Sequence, residues 1–164
     1  MLLPIAPITV HYNPSNHDYT NGFFLAQTIQ AWFSKCPSIT FNVNISHRKY
    51  FTYGNSLIGT SHGDGAKETD LAWLMAHEES QHWDKCKNRY FYFHHIHHKK
   101  SKDYMSVCVE SLRSPSGTDS WHHRNGYQFA PKAVEGFIHH PVYGQIARIT
   151  HLFSLLLILI NTLT

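Results

Sequence analysis

The run Arg89-Tyr90-Phe91-Tyr92-Phe93-His94-His95-Ile96-His97-His98 joins an aromatic strand to a cluster of imidazoles. Residues 89–93 have the continuous apolar character of a buried strand, and the strand ends where the histidines begin. Two earlier segments repeat this arrangement. Ile8-Thr9-Val10-His11-Tyr12 is β-branched and aromatic and runs into the polar turn Asn13-Pro14-Ser15-Asn16-His17-Asp18. Ser56-Leu57-Ile58-Gly59-Thr60 is the second arm of a hairpin announced by Gly54-Asn55, and it runs into Ser61-His62-Gly63-Asp64-Gly65. In open α/β sheets, ligand sites gather outside the carboxyl ends of strands. Three strand-end loops could thereby bring His17, His62, His95 and His97 together.

The remaining pattern completes a mixed architecture. Phe23, Leu25, Ala26, Ile29, Trp32 and Phe33 recur at helical spacing, with Pro37 just beyond the end. Residues 39–45 alternate as a strand, and 67–83 predict a second helix with Leu71, Leu74 and Met75 on one face. Further strands are expected over 104–110, 134–139 and 146–153, with a polar loop over 112–127. Trp32, Trp73 and Trp83 are expected to pack within the fold, and Lys99-Lys100-Ser101-Lys102 to form a solvated turn. The expected fold class is α/β in the α+β sense: one domain over residues 1–153 and an apolar tail over 154–164.

Composition narrows the classes. The chain has 164 residues, 42% hydrophobic and 15% charged, which suits one packed domain and argues against disorder. A net charge of +3 is too mild to signal a nucleic-acid partner by itself. Histidine is the anomaly, with 15 residues against 11 Asp+Glu. The three cysteines, Cys36, Cys86 and Cys108, form no CxxC pair and fit a reducing interior. No signal peptide opens the sequence, and the apolar run over 152–160 is far shorter than the roughly 20 residues that span a bilayer. A cytoplasmic protein with no membrane partner is expected.

His95-Ile96-His97 directly after a strand can aim two imidazoles at one centre, because i and i+2 side chains share a face. Neutral imidazole suits Zn, Mn, Fe or Ni, and added carboxylates favour Mn or Fe over Ca. A solvated His-rich turn is the other reading, and spacing alone leaves both open. Asn16-His17-Asp18 offers an amide oxygen, an imidazole and a carboxylate in succession. The carboxylate could hold the ring protonated as a general acid, or the same residues could form an Asx turn capping the helix that follows.

Taken together, these loops resemble the motifs of calcineurin-like metallophosphoesterases. Asn16-His17-Asp18 after a hydrophobic strand is similar to their Gly-Asn-His-Asp/Glu motif, His62-Gly63 to their isolated ligand histidine, and His94-His95-Ile96-His97 to their Gly-His-x-His motif. The resemblance covers roughly residues 8–153. The stretch 114–127, with Asp119, Ser120 and Trp121, further resembles phage and prophage members described as DNA-repair exonucleases. The resemblance implies a β-sandwich flanked by helices and a divalent metal cofactor, Mn foremost, with Zn, Fe or Ni as alternatives. Asn16, His62 and His95 would hold one ion and His97 a second, and His17 would be the catalytic acid oriented by Asp18. It also implies hydrolysis of a phosphodiester, DNA included, by metal-activated water.

The sequence departs from that pattern. Ser15 and His94 stand where the family has glycine, and His94 puts a ring where the turn usually carries none. Asp18 is the only acidic residue before Asp64, so the family's Asp-x-His and Gly-Asp-x-x-Asp motifs are absent upstream. After Gly63-Asp64, Lys67 occupies the place of the second Asp. The chain therefore reads as an N-terminally truncated, partial domain lacking the first β-α-β unit. One ion rather than two, weak hydrolysis, and self-association through an exposed sheet edge are the expected consequences. The alternatives are a non-catalytic His-rich metal-binding remnant and a nucleic-acid-binding module using Trp121, Arg124 and the basic turn at 99–102.

Overall fold

A computed structural model of the chain describes residues 5–117, 123, 124, 126 and 129–153. In chain order the elements are β1 (Ile8–His11), α1 (Tyr19–Trp32), β2 (Ile39–Asn42), β3 (Arg48–Tyr53) and β4 (Ser56–Ser61). A 3-10 turn at Glu68–Asp70 leads into α2 (Leu71–Glu78) and α3 (Ser80–Trp83). Then follow β5 (Asn88–Phe93), β6 (Lys100–Tyr104), β7 (Val107–Ser111), β8 (Lys132–His140) and β9 (Gly144–Phe153). The fold is mixed α/β, with a five-stranded sheet in the order β3-β4-β5-β7-β6, a parallel ribbon β1-β2 and an antiparallel hairpin β8-β9.

Alternation along the strands explains how the central sheet is covered on both faces. Leu57, Phe91, Phe93, Val107 and Val109 point to one side, where they pack with Leu71, Ala72 and Met75 of α2. Ile58, Tyr92 and Leu112 point to the other, where Phe51, Tyr90 and Phe137 close over them. This two-sided burial is why β5 lacks a polar face. Gly59 lies where the sheet meets α2: a Cβ there would come within 2.5 Å of the Phe91 ring and 2.9 Å of the Met75 methyl. The second strand layer docks by specific contacts. His11 of β1 stacks on Phe51 at 4.5 Å, Phe137 of β8 stacks on Tyr92 at 4.5 Å, and the β8-β9 turn accepts the Asn55 N–H at Pro141 O (2.7 Å).

Buried charge also ties the layers together. Glu135 and Glu110 have side chains only 1% and 3% exposed. Arg148 reaches both of them, Arg113 holds Glu135 at 3.2 Å, and the Arg148 guanidinium lies 4.8 Å from the Phe137 ring centre. Carboxylates removed from water in this way persist only if a cation compensates them.

Several sequence expectations are corrected by the structure. Residues 104–110 form a hairpin rather than one strand, because Met105 adopts φ +50° and reverses the chain between β6 and β7. The basic stretch at 99–102 consequently runs into edge strand β6 instead of forming a turn. The helix expected over 67–83 breaks at Glu79, whose backbone (φ −121°, ψ 36°) leaves the helical region. Its carbonyl then accepts the His82 and Trp83 N–H groups at 2.9 Å and starts α3. Strand β2 stops at Asn42 because residues 44–46 turn inward around the Lys49 ammonium.

The tryptophans divide. Trp83 packs against the core with Arg89 over its ring at 4.2 Å, but Trp32 and Trp73 are 83% and 56% exposed. In α1 only Gly22 is buried, although residues 19–33 carry no charge. The helix flanks a ribbon whose strands pair only with each other among the described residues, so it has little surface to bury its apolar stripe against. No helix among the described residues is long and apolar enough to cross a membrane. The tail 154–164 and the loop residues Asp119, Ser120 and Trp121 lie outside the described residues.

Arg148→Met leaves two buried carboxylates without their shared cation and should cost about 3–5 kcal/mol in urea unfolding. Trp32→Ala should shift stability by no more than about 0.5 kcal/mol, the range of an exposed surface change.

Candidate metal centre

The parallel pairing of β4 with β5, in register from Ser56–Asn88 to Thr60–Tyr92, ends both strands at the same edge of the sheet. The loops after them carry His62 and His95. The His94 N–H donates to His62 O at 3.0 Å and fixes one loop to the other. Gly63 permits the approach: its φ is +106°, and a Cβ would sit 2.7 Å from the Phe93 ring and 3.4 Å from the His95 Cβ. The turn after β1 joins them through the Asn13 amide, which donates to the Thr60 hydroxyl at 3.0 Å, and it delivers His17.

These three loops bring His17, His62 and His95 together, with one ligand nitrogen of each inside a mutual spacing of 4.8 Å. His62 Nε2 and His95 Nδ1 are 3.3 Å apart. The His17 and His62 rings stand nearly perpendicular with centroids 5.7 Å apart, and those of His62 and His95 are 5.2 Å apart. His97 flanks the group with its ring 6.3 Å from that of His17. Asn16 is exposed and immediately precedes His17 in the same turn. Asp18 occupies the N-terminal position of α1, where its carbonyl accepts the Gly22 N–H at 2.8 Å; among the described residues no hydrogen bond joins it to His17.

Backbone strain concentrates here. His95 (φ +39°) and His97 (φ +55°) adopt the left-handed conformation, whereas His94, which replaces a glycine of the resembled motif, does not. The ring of His94 therefore meets no backbone conflict. The cost falls on the two histidines behind it, whose residue type tolerates that region better than most.

Electrostatics favour the neutral, ligating form of His62. Burial holds its pKa below the ordinary value; Asp64 pulls it upward, while His95 and His17 push it down again. Asp64 is a site residue that the sequence reading noted only as part of a dipeptide. Burial raises its pKa, but a hydrogen bond from the Tyr19 hydroxyl and the nearby His62 and His47 outweigh that and keep it below the usual carboxylate value. Only the nearness of Tyr19, 45 residues away in sequence, gives Asp64 this role, and no local motif signals it.

The donor set fits a first-row divalent cation. Tetrahedral Zn–N bonds of about 2.0–2.1 Å place neighbouring nitrogens roughly 3.3–3.4 Å apart. The His62–His95 spacing of 3.3 Å already meets that separation, and His17 needs only a modest side-chain adjustment to join. The grouped donors are three imidazoles, with no carboxylate in the set among the described residues.

No protein-family model matches the chain. No curated protein matches it either. Among solved structures, a Vps29 single mutant from Entamoeba histolytica is similar at 10% identity and a TM-score of 0.41, over 90% of this chain and 99% of that one. Likeness at that level lends no weight to any function.

His11, His62 and His139 all have pKa values lowered chiefly by burial. Near pH 7.5 they are neutral in both folded and unfolded chains and contribute no pH dependence. Below about pH 6.5 the unfolded chain takes up protons that the folded chain resists, so stability falls as pH drops. The urea midpoint should therefore be lower at pH 5.5 than at 7.5. Added zinc should raise the midpoint at pH 7.5, and His62→Ala should remove that increase.

Proposed function

We propose that this chain is a metal-dependent phosphoesterase that holds one divalent cation on His17, His62 and His95 and hydrolyses a phosphodiester. The supporting observation is the convergence of three imidazoles from three separate strand-end loops. The motif resemblance supplies the reaction class. A cation bound there would polarise a phosphoryl oxygen and make a neighbouring water acidic.

The chain's own groups have distinct tasks in this reading. His62 and His95, held by the His94-to-His62 backbone bond, form the fixed side of the site. His17 is the exposed member and closes the site from solvent. That differs from the roles the resemblance assigns, in which His17 faces phosphate as the acid and Asn16 supplies the ligand atom. His97, beside His17, is placed to meet the substrate's phosphoryl oxygens. Three neutral nitrogens favour Zn over Mn, since Mn prefers carboxylate oxygen. A DNA phosphodiester is the proposed natural substrate class, by the likeness of residues 114–127.

A second reading has a specific observation behind it. The set has no carboxylate, so the same three histidines could hold one ion without turning over a substrate. Hydrolysis of bis-p-nitrophenyl phosphate with Zn or Mn separates the two. Turnover that falls at least about tenfold in both His62→Ala and His17→Ala supports the enzyme. Zinc bound by wild type and lost by His62→Ala, with no turnover in either, establishes the non-catalytic site. Zinc affinity also decides the role of His17: His17→Ala weakens it if the imidazole is a ligand, and leaves it intact if the residue is only an acid.

A further inference from the structure

Helix α1 carries an apolar stripe that remains uncovered among the described residues. Its packed side is small: Gly22 is buried, Phe23 and Ala26 are half-buried, and the Phe23 ring lies 6.2 Å from that of Tyr12. Away from that side lie Phe24 and Leu25, each 60% exposed, Ile29 at 40% and Trp32 at 83%. With Thr28 these residues follow the spacing i, i+1, i+4, i+5, i+8, which keeps them on one stripe of a helix. The Thr28 hydroxyl is turned back onto Phe24 O at 2.8 Å, so it asks nothing of a partner.

The stripe is symmetric about its midpoint, between Ala26 and Gln27. Reversed end to end, Phe24 exchanges with Ile29, Leu25 with Thr28, and Asn21 with Trp32. Residues 19–34 carry no charge, and the charged residues that bracket them, Asp18 and Lys35, are exposed and exchange with each other under the same reversal. A second helix of the same sequence laid antiparallel on this one therefore meets apolar side chains along its length and an opposite charge at each end. Parallel placement would set Asp18 against Asp18 and Lys35 against Lys35. Antiparallel placement also opposes the two helix dipoles. Exposed aromatic side chains present roughly 150–250 Å2 each, so the stripe offers on the order of 500 Å2 per copy. Two copies would bury about 1,000 Å2, the lower bound of a specific interface, which suits a reversible dimer in the micromolar range.

We infer that α1 is a dimer contact and pairs antiparallel with α1 of a second copy of this chain, Asp18 facing Lys35 of the partner subunit at both ends. The contact needs neither metal nor turnover, so it stands apart from the proposed phosphoesterase reading. Because α1 begins two residues after His17, each pairing of Asp18 with the partner's Lys35 falls beside the loop that carries that histidine.

The test is sedimentation equilibrium of the metal-free full chain from about 1 to 200 µM, where wild type should show a monomer–dimer equilibrium. Leu25→Lys puts a charge in the middle of the stripe and should weaken association at least about tenfold. Its side chain is exposed, so the circular dichroism spectrum should not change. Asp18→Lys should weaken association at least about threefold by setting like charges together. Asp18 makes no side-chain capping bond, so that exchange removes none from the helix. Adding Lys35→Asp to Asp18→Lys should restore wild-type association, because the double exchange re-creates both ion pairs only between antiparallel helices. A wild type that stays monomeric, association that survives Leu25→Lys, or a double exchange that fails to restore it overturns the inference. Flotation of wild-type monomer with phosphatidylcholine vesicles, lost in Leu25→Lys, would assign the stripe to a lipid surface and overturn it as well.

Discussion

Parallel pairing of β4 and β5 is the constraint from which the rest follows. It brings the carboxyl ends of two strands level, so that the loops bearing His62 and His95 emerge side by side. Glycine at position 63 then lets those loops close to van der Waals contact, and the His94-to-His62 backbone bond fixes their spacing. Antiparallel pairing would send the two loops to opposite ends of the sheet. The site is thus a product of strand direction first and of histidine content second. Of the 15 histidines, three are grouped there among the described residues.

The second strand layer completes the protein with polar as well as apolar contacts. Phe137 on Tyr92 and His11 on Phe51 supply ring stacking, while Glu110, Glu135, Arg113 and Arg148 place an ion network between the sheets. Such a network adds little net stability over an apolar filling. Its geometric demand is strict, however, because a shifted register would leave a buried carboxylate unmatched. The network lies just below the loop after β5, since Arg113 follows the end of β7 and the Leu112 N–H donates to Phe93 O at 2.7 Å. Correct seating of β8 and β9 therefore bears on the same sheet edge that presents the histidines.

What the sequence made legible was local chemistry with a strong signature. Gly54-Asn55 marked the β3-β4 hairpin, the aromatic run 89–93 marked a buried strand, and histidines at three strand ends marked the site. The failures occurred where a residue acted against type. Met105 makes a left-handed turn without glycine or asparagine, and Glu79 breaks a helix without glycine or proline. Helical spacing in α1 indicated a buried stripe correctly patterned for a core, but periodicity says nothing about whether a partner surface exists. The pairing of Asp64 with Tyr19 was likewise invisible, because it depends on the tertiary positions of separate loops.

Charge decides how many ions the site can hold. Two divalent cations about 3.75 Å apart repel by ~18 kcal/mol at an effective dielectric near 20. In a dinuclear site, bridging and terminal carboxylates offset that repulsion. Here the grouped donors are neutral imidazoles, and the neighbouring acid, Asp64, is engaged by the Tyr19 hydroxyl. Asp18, the other acid near these loops, sits over the first turn of α1. A single ion would meet no such repulsion, and three nitrogens would leave it open positions for further ligands. The same arithmetic bears on the substrate. On the proposed reading, one cation would polarise a phosphoryl oxygen without also clamping the leaving oxygen, and holding the departing alcohol would fall to the chain's own groups.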